Sequence, residues 1–97
     1  MHIGVCRLTF HLECDDSLKG KRQVAQSLIG RVRRRFNGSI AEVDAIDRHQ
    51  TLVLGIACAS GNSAYVGEQL DAIVKFVYAQ HVDAELIEVE REVMEVL

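Results

Sequence analysis

Apolar and polar residues alternate along four segments of the chain and recur at helical spacing along two others. The alternating segments predict β-strands over residues 2–13, 40–47, 51–60 and 82–96, since side chains of a strand point to opposite faces in turn. The helical spacing predicts one amphipathic helix over residues 17–36 and a second that follows a turn at residues 61–63. The predicted order of elements is therefore β-α-β-β-α-β.

Each predicted helix has an apolar stripe and recognisable ends. Ser17 is a typical N-cap, with Asp15 and Asp16 before it at the positive end of the helix dipole, and Asn37-Gly38 predicts a left-handed cap at the other end. The stripe of the first helix consists of Leu18, Val24, Ala25, Leu28, Ile29, Val32 and Phe36. That of the second consists of Val66, Leu70, Ile73, Val74 and Val77.

This order of elements predicts a single α+β domain over residues 1–97 with a ferredoxin-like βαββαβ sandwich fold. Right-handed crossovers place both helices on one face of a four-stranded antiparallel sheet. The first and third strands are the most apolar and are expected at the centre, while the charged second and fourth strands suit the edges. The other face of the sheet is left without a helix.

The composition is typical of a cytoplasmic globular protein, with 48% hydrophobic and 26% charged residues among 97. No apolar segment approaches the roughly 20 residues that span a bilayer, and the alternating start predicts a strand and no signal peptide. Cys6, Cys14 and Cys58 lack the spacing of zinc ligands. Because Cys6 and Cys58 fall on buried strand faces, we expect reduced core thiols.

Positive charge is concentrated in residues 17–36, which hold seven cations and no carboxylate in a chain of net charge -3. Residues 83–97, in contrast, hold six acids against Arg91. Exposed Lys and Arg side chains on a helix suit the phosphates of RNA or a ribosome. Neutralisation by the acidic last strand, or by a second subunit, is the alternative. The candidate RNA-binding residues are Lys19, Lys21, Arg22, Arg31, Arg33, Arg34 and Arg35.

The helix-free face of the sheet is the second candidate surface. It has no aromatic side chain on the central strands, so bases are not expected to stack there. Small apolar side chains rimmed by acids suit another protein surface, most simply in a twofold homodimer, although a merely solvated face is the alternative. The candidate interface residues are Val5, Arg7, Thr9, Val53 and Ala57, and the expected acidic rim is Glu42, Asp44, Glu88 and Glu90.

Catalytic and metal sites are not expected. The loop after the first strand, residues 13–16, is acidic and would repel a phosphate group. The four histidines lack ligand spacing, and no nucleophile accompanies His11 and Arg7 on their strand. We therefore expect a protein that binds a partner without a cofactor or metal and without catalysing a reaction.

Several motifs together resemble the YlxP-like family, small bacterial proteins of unknown function. They are Ser17-Leu-Lys-x-Lys-Arg22, Arg31-Val-Arg-x-Arg-Phe-Asn37, Ser39-Ile-Ala-Glu-Val43 and Leu54-Gly-Ile-Ala57, and the resemblance spans nearly the whole chain. It implies a ferredoxin-like fold and carries over the family's basic positions to Lys19, Lys21, Arg22, Arg31, Arg33 and Arg35. Genes of the family often lie among those for translation initiation and ribosome maturation, which implies association with RNA or ribosomes.

The chain departs from the family pattern at two places. Gly20 replaces the charged residue usual between the lysines, which weakens the helix start by up to about 1 kcal/mol. Residues 48–50, Arg-His-Gln, stand where family members commonly have an aromatic residue. The resemblance therefore supports no binding that depends on that ring.

Overall fold

A computed structural model of the protein describes residues 1–13 and 17–97. In chain order its elements are β1 (His2–His11), α1 (Leu18–Arg35), β2 (Ser39–Asp44), β3 (Thr51–Ser60), α2 (Ser63–Tyr78) and β4 (Glu85–Glu95). The strands form one antiparallel sheet in the order β2-β3-β1-β4. This arrangement confirms the predicted ferredoxin-like α+β fold, including the central positions of β1 and β3.

The core lies between one face of the sheet and the two helices. Alternate residues of β1 and β3 are buried there, and the apolar stripes of α1 and α2 pack onto them. Each fully buried side chain of the size of leucine stabilises the fold by about 1.5–3 kcal/mol. The core side chains are Cys6, Leu8, Phe10, Leu12, Ala25, Leu28, Val32, Ile40, Leu52, Leu54, Ile56, Cys58, Val66, Leu70, Ile73 and Val77.

The start of α1 agrees with the sequence and its end does not. Ser17 Oγ accepts a hydrogen bond from the backbone N–H of Gly20 at 3.0 Å, as expected of an N-cap. The predicted left-handed cap at Asn37-Gly38 is wrong, because the helix ends in extended backbone at Phe36, with φ -126° and ψ 150°. The Phe36 ring instead packs edge-on against Phe76 at 5.4 Å. Predictions for residues 14–16 lie outside the described residues.

Gly38 has a packing role that explains the glycine without a left-handed conformation. A Cβ atom at this position would lie 3.2 Å from the carbonyl oxygen of Ala57 on β3. The next residue, Ser39, is the first of β2. The close approach of the two backbones therefore favours glycine here.

Three strands are shorter than predicted. β1 ends at His11, β2 ends at Asp44 after an irregularity between Glu42 and Asp44, and β4 begins only at Glu85. Ala45 follows β2 with a left-handed φ of 54°, which turns the chain toward β3. No helix within the described ranges is long and apolar enough to cross a membrane.

The helices divide the sheet between them. α1 contacts β2, β3 and α2, whereas α2 contacts β1, β3 and β4. In the described part of the chain, α1 makes no contact with β4. The basic helix and the acidic last strand therefore lie toward opposite edges of the sheet.

Candidate nucleic-acid interface

Lys21 is the one predicted phosphate-binding residue whose ammonium group lies inside the protein. Its side chain is 3% exposed, and Nζ lies 3.0 Å from Glu42 Oε2. Nζ also donates hydrogen bonds to the carbonyl oxygens of Ala45 at 2.8 Å and Ile46 at 3.0 Å. The expectation that Lys21 is exposed is therefore wrong. Its position four residues before Ala25 places it on the buried stripe of α1.

Arg31 and Arg35 lie on the flank of α1 that faces α2. Arg31 is half-buried and donates from Nη1 to Gln80 Oε1 at 3.2 Å. The guanidinium of Arg35 lies over the ring of Phe76, 5.1 Å from its centroid. Neither the amide oxygen of Gln80 nor the ring of Phe76 is an anion, so both arginines keep an uncompensated positive charge. These contacts nevertheless hold the two side chains beside α2.

Four of the five exposed cations of α1, all except Arg35, form what we call the cationic face of α1: Lys19, Arg22, Arg33 and Arg34. At 100° per residue, Lys19, Arg22 and Arg33 share one stripe, and Arg34 lies beside it. Arg33 donates from Nη2 to the carbonyl oxygen of Ile40 at 3.1 Å. Lys19, Arg22 and Arg34 make no hydrogen bond or ion pair with another described residue. From Lys19 to Arg34 the helix rises about 22 Å.

The acidic last strand does not neutralise these cations. In the described ranges, Glu90 of β4 forms an ion pair with Arg7, and Glu95 lies 3.2 Å from His2 Nε2. Arg91 of β4 pairs with Asp71 of α2. The alternative in which the last strand compensates the basic helix is therefore wrong for this fold, because α1 and β4 are not in contact.

Three of the five predicted interface residues, Val5, Arg7 and Ala57, line a shallow groove on the helix-free face of the sheet. Val5, Arg7 and Thr9 of β1 lie opposite Ala57, Gly55 and Val53 of β3. Val53 itself is only 6% exposed. Val53 is therefore buried and not available for the contact expected of it, and the role of the other four residues in an interface stays a prediction.

Strand β2 contributes to this groove in a way that the sequence analysis missed. Ala41 and Val43 line the groove, and Val43 is 52% exposed over Gly55. Ala41 and Val43 alternate with the buried Ile40, and this alternation could have placed them on the opposite, helix-free face. The predicted place of Glu42 on the acidic rim is wrong, since its carboxylate meets Lys21 on the helix side.

Arg7 and Glu90 form a two-pronged ion pair beside the groove. Arg7 Nε and Nη2 donate to the two carboxylate oxygens of Glu90, each at 2.9 Å. These hydrogen bonds raise the pKa of Arg7 and lower the pKa of Glu90. The pair is exposed, so it orders the rim of the groove more than it stabilises the fold.

Outside these two surfaces, few side chains in the described part of the chain could react chemically or bind a metal ion. Cys6 and Cys58 are free and buried, as predicted, and burial raises the pKa of both thiols. A raised pKa leaves less thiolate and makes a thiol less reactive. No group of three or more His, Cys, Asp or Glu side chains in residues 1–13 and 17–97 is arranged to hold a metal ion.

The fold and these two surfaces define a small ferredoxin-like protein with a cationic first helix and an open sheet face. The chain belongs to the family described as Protein of unknown function (DUF503), whose model matches residues 3–91. It is similar to the Uncharacterized protein YlxP of Bacillus subtilis (strain 168), with 34% identity over 61 residues. That alignment covers 63% of this chain and 66%, just under two thirds, of the relative. The resemblance inferred from the motifs is thus confirmed.

Proposed function

We propose that this protein is a cytoplasmic RNA- or ribosome-associated protein that binds phosphates through the cationic face of α1 and catalyses no reaction. One observation carries the proposal. Lys19, Arg22 and Arg34 are exposed and make no hydrogen bond or ion pair with another described residue. An acidic chain of net charge -3 that keeps a strip of cations free has a surface suited to an anionic partner.

The position of this strip limits repulsion by the acidic strand. β2 and β4 are separated by β3 and β1 in the sheet. α1 also contacts β3, and the two strand spacings from β3 to β4, about 10 Å, still exceed the Debye length of about 8 Å at physiological ionic strength. A phosphate chain at α1 is therefore screened from most of the charge on β4.

The four residues of the cationic face set the expected strength of the salt effect. Lysine and arginine contact phosphates without regard to base sequence, and each neutralised phosphate of a single strand contributes about -0.7 to the log–log salt slope. Four contacts give a slope of about -2.8. Lys21 is left out of this set because its charge is used inside the fold.

Reversing two of these charges tests the proposal. We expect Arg33→Glu/Arg34→Glu to weaken binding of a fluorescent, mixed-sequence single-stranded RNA by at least about tenfold at low salt, because two contacts become repulsions. Fluorescence anisotropy measures the affinity. Thermal melting of the variant checks that it stays folded.

The matched control is Arg48→Glu/Lys75→Glu, which changes the net charge equally through exposed cations outside α1. We expect it to change the affinity less than about threefold, since Lys75 lies on α2 and Arg48 lies between β2 and β3, outside the strip of cations on α1. Equal losses in the two double variants would mean that only the overall charge matters. That result would overturn the assignment to the cationic face.

The groove on the helix-free face supports a second candidate function, assembly of a homodimer. Its apolar side chains Val5, Val43 and Ala57 are suited to burial against a second copy. Such a contact is insensitive to salt, unlike phosphate binding. Sedimentation equilibrium at micromolar concentration decides this point: a dimer that persists in high salt supports it, and monomer alone excludes it.

A further inference from the structure

We propose that the free edge of β4 and the groove beside it bind an extended, cationic segment of another protein, which adds a fifth strand to the sheet. β4 is an edge strand of 11 residues that, among residues 1–13 and 17–97, pairs only with β1. Its outer side presents a row of backbone N–H and C=O groups that an extended chain can pair with.

The groove between α2 and β4 offers apolar contacts next to this edge. Val74 and Tyr78 line it from α2, together with the cation Lys75. Leu86, Ile87 and Val89 line it from β4. Tyr78 is 76%, Ile87 57% and Val89 41% exposed, so this side of the sheet is open. Apolar side chains at every second position of an added strand would cover these residues.

Two features of β4 lie beside the groove: an ion pair with α2 and a β-bulge. The ion pair of Arg91 with Asp71 joins β4 to α2 and also lines the groove. At the other part of the strand, the register shifts between Thr9 and Phe10, and Ile87 has no partner residue on β1. A bulge re-aims a side chain, and Ile87 is left exposed beside the groove.

The charge on the other face of β4 decides which chain fits. Glu88, Glu90 and Glu92 lie opposite Thr9, Arg7 and Val5 of β1 and therefore face the helix-free side. Glu90 is already paired with Arg7. A second copy of β4 continuing the sheet would set these carboxylates against each other, which is unfavourable. A strand with Lys or Arg at alternate positions would instead pair with Glu88 and Glu92.

The test uses the full chain and a labelled peptide with alternating residues, acetyl-KVKVKVK-amide. We expect saturable binding by fluorescence anisotropy, weakened about tenfold by Glu88→Lys/Glu92→Lys, because two favourable charge pairs become repulsive. The control Asp47→Lys/Glu68→Lys makes the same net change at exposed acids elsewhere and should alter the affinity less than about threefold. Equal weakening in both variants, or no binding, overturns the proposal.

Backbone pairing is tested with two further peptides, one N-methylated at every valine and one at every lysine. In an extended strand, alternate N–H groups point to opposite sides, so only one set can donate to β4. We expect one methylated peptide to lose at least about tenfold in affinity and the other to keep its binding. Binding kept by both, or lost by both, contradicts strand addition.

This surface is separate from the proposed RNA-binding surface. α1 makes no contact with β4 in the described ranges. Arg33→Glu/Arg34→Glu should therefore leave peptide binding within about threefold of wild type, since exposed charges beyond a Debye length are screened. A comparable loss of peptide binding in that variant would contradict a separate site.

Discussion

Replacing Lys21 with methionine is expected to lower the free energy of unfolding by about 3–5 kcal/mol. The substitution leaves the half-buried Glu42 carboxylate without its cation, and the carbonyl oxygens of Ala45 and Ile46 without their donor. Burying an unpaired charge costs more than the methionine side chain gains by packing. Urea denaturation followed by circular dichroism measures the change.

Two variants make the Lys21 experiment specific. Lys19→Met, at an exposed position of the same helix, should change stability by less than about 0.5 kcal/mol. Adding Glu42→Gln to Lys21→Met removes the unpaired charge and should recover part of the loss. A Lys21→Met protein as stable as the Lys19→Met control would show that the buried ion pair does not hold the chain after β2.

The second large effect concerns Gly4 of β1, which lies against the Val66 and Leu70 side chains of α2. A Cβ atom on Gly4 would lie 2.3 Å from Val66 Cγ1 and 2.8 Å from Leu70 Cδ1. Both neighbours are core side chains, so Gly4→Ala forces Val66 and Leu70 to move within a packed core. We expect a loss of about 1–3 kcal/mol, toward the upper end, in the same urea experiment.

Gly61→Ala is the matched control, because a Cβ atom there has no neighbour within 4 Å. It should leave stability within about 0.5 kcal/mol. Adding Val66→Ala to Gly4→Ala makes room for the new methyl group, so the double variant should lose less than the sum of the single losses. Strictly additive losses would mean that Gly4 and Val66 do not compete for space.

The fold was accessible from the sequence because its signals are local and repeated. Alternation along β1 and β3 predicted their buried faces, and their high apolar content predicted their central positions. The end of α1 was not accessible in this way. The Asn37-Gly38 signal favours a left-handed cap, but packing of Phe36 on Phe76 and the close approach of Gly38 to Ala57 override it.

The candidate site was predicted in outline and corrected in detail. Counting charges located the basic helix, but a count does not distinguish an exposed cation from a buried one. Lys21 shares the spacing of Ala25 and Leu28, which was a usable signal. Its carbonyl partners lie 24 and 25 residues away in the chain, and only the folded structure brings them together.

The salt dependence of RNA binding tests the central claim most directly. For single-stranded RNA, the wild-type protein should show a log–log slope of about -2.8, and Arg34→Ala should reduce its magnitude by about 0.7. Arg48→Ala, at an exposed cation outside α1, should keep the wild-type slope. An affinity that does not change with salt, or an Arg34→Ala slope equal to that of wild type, would contradict phosphate binding by the cationic face of α1.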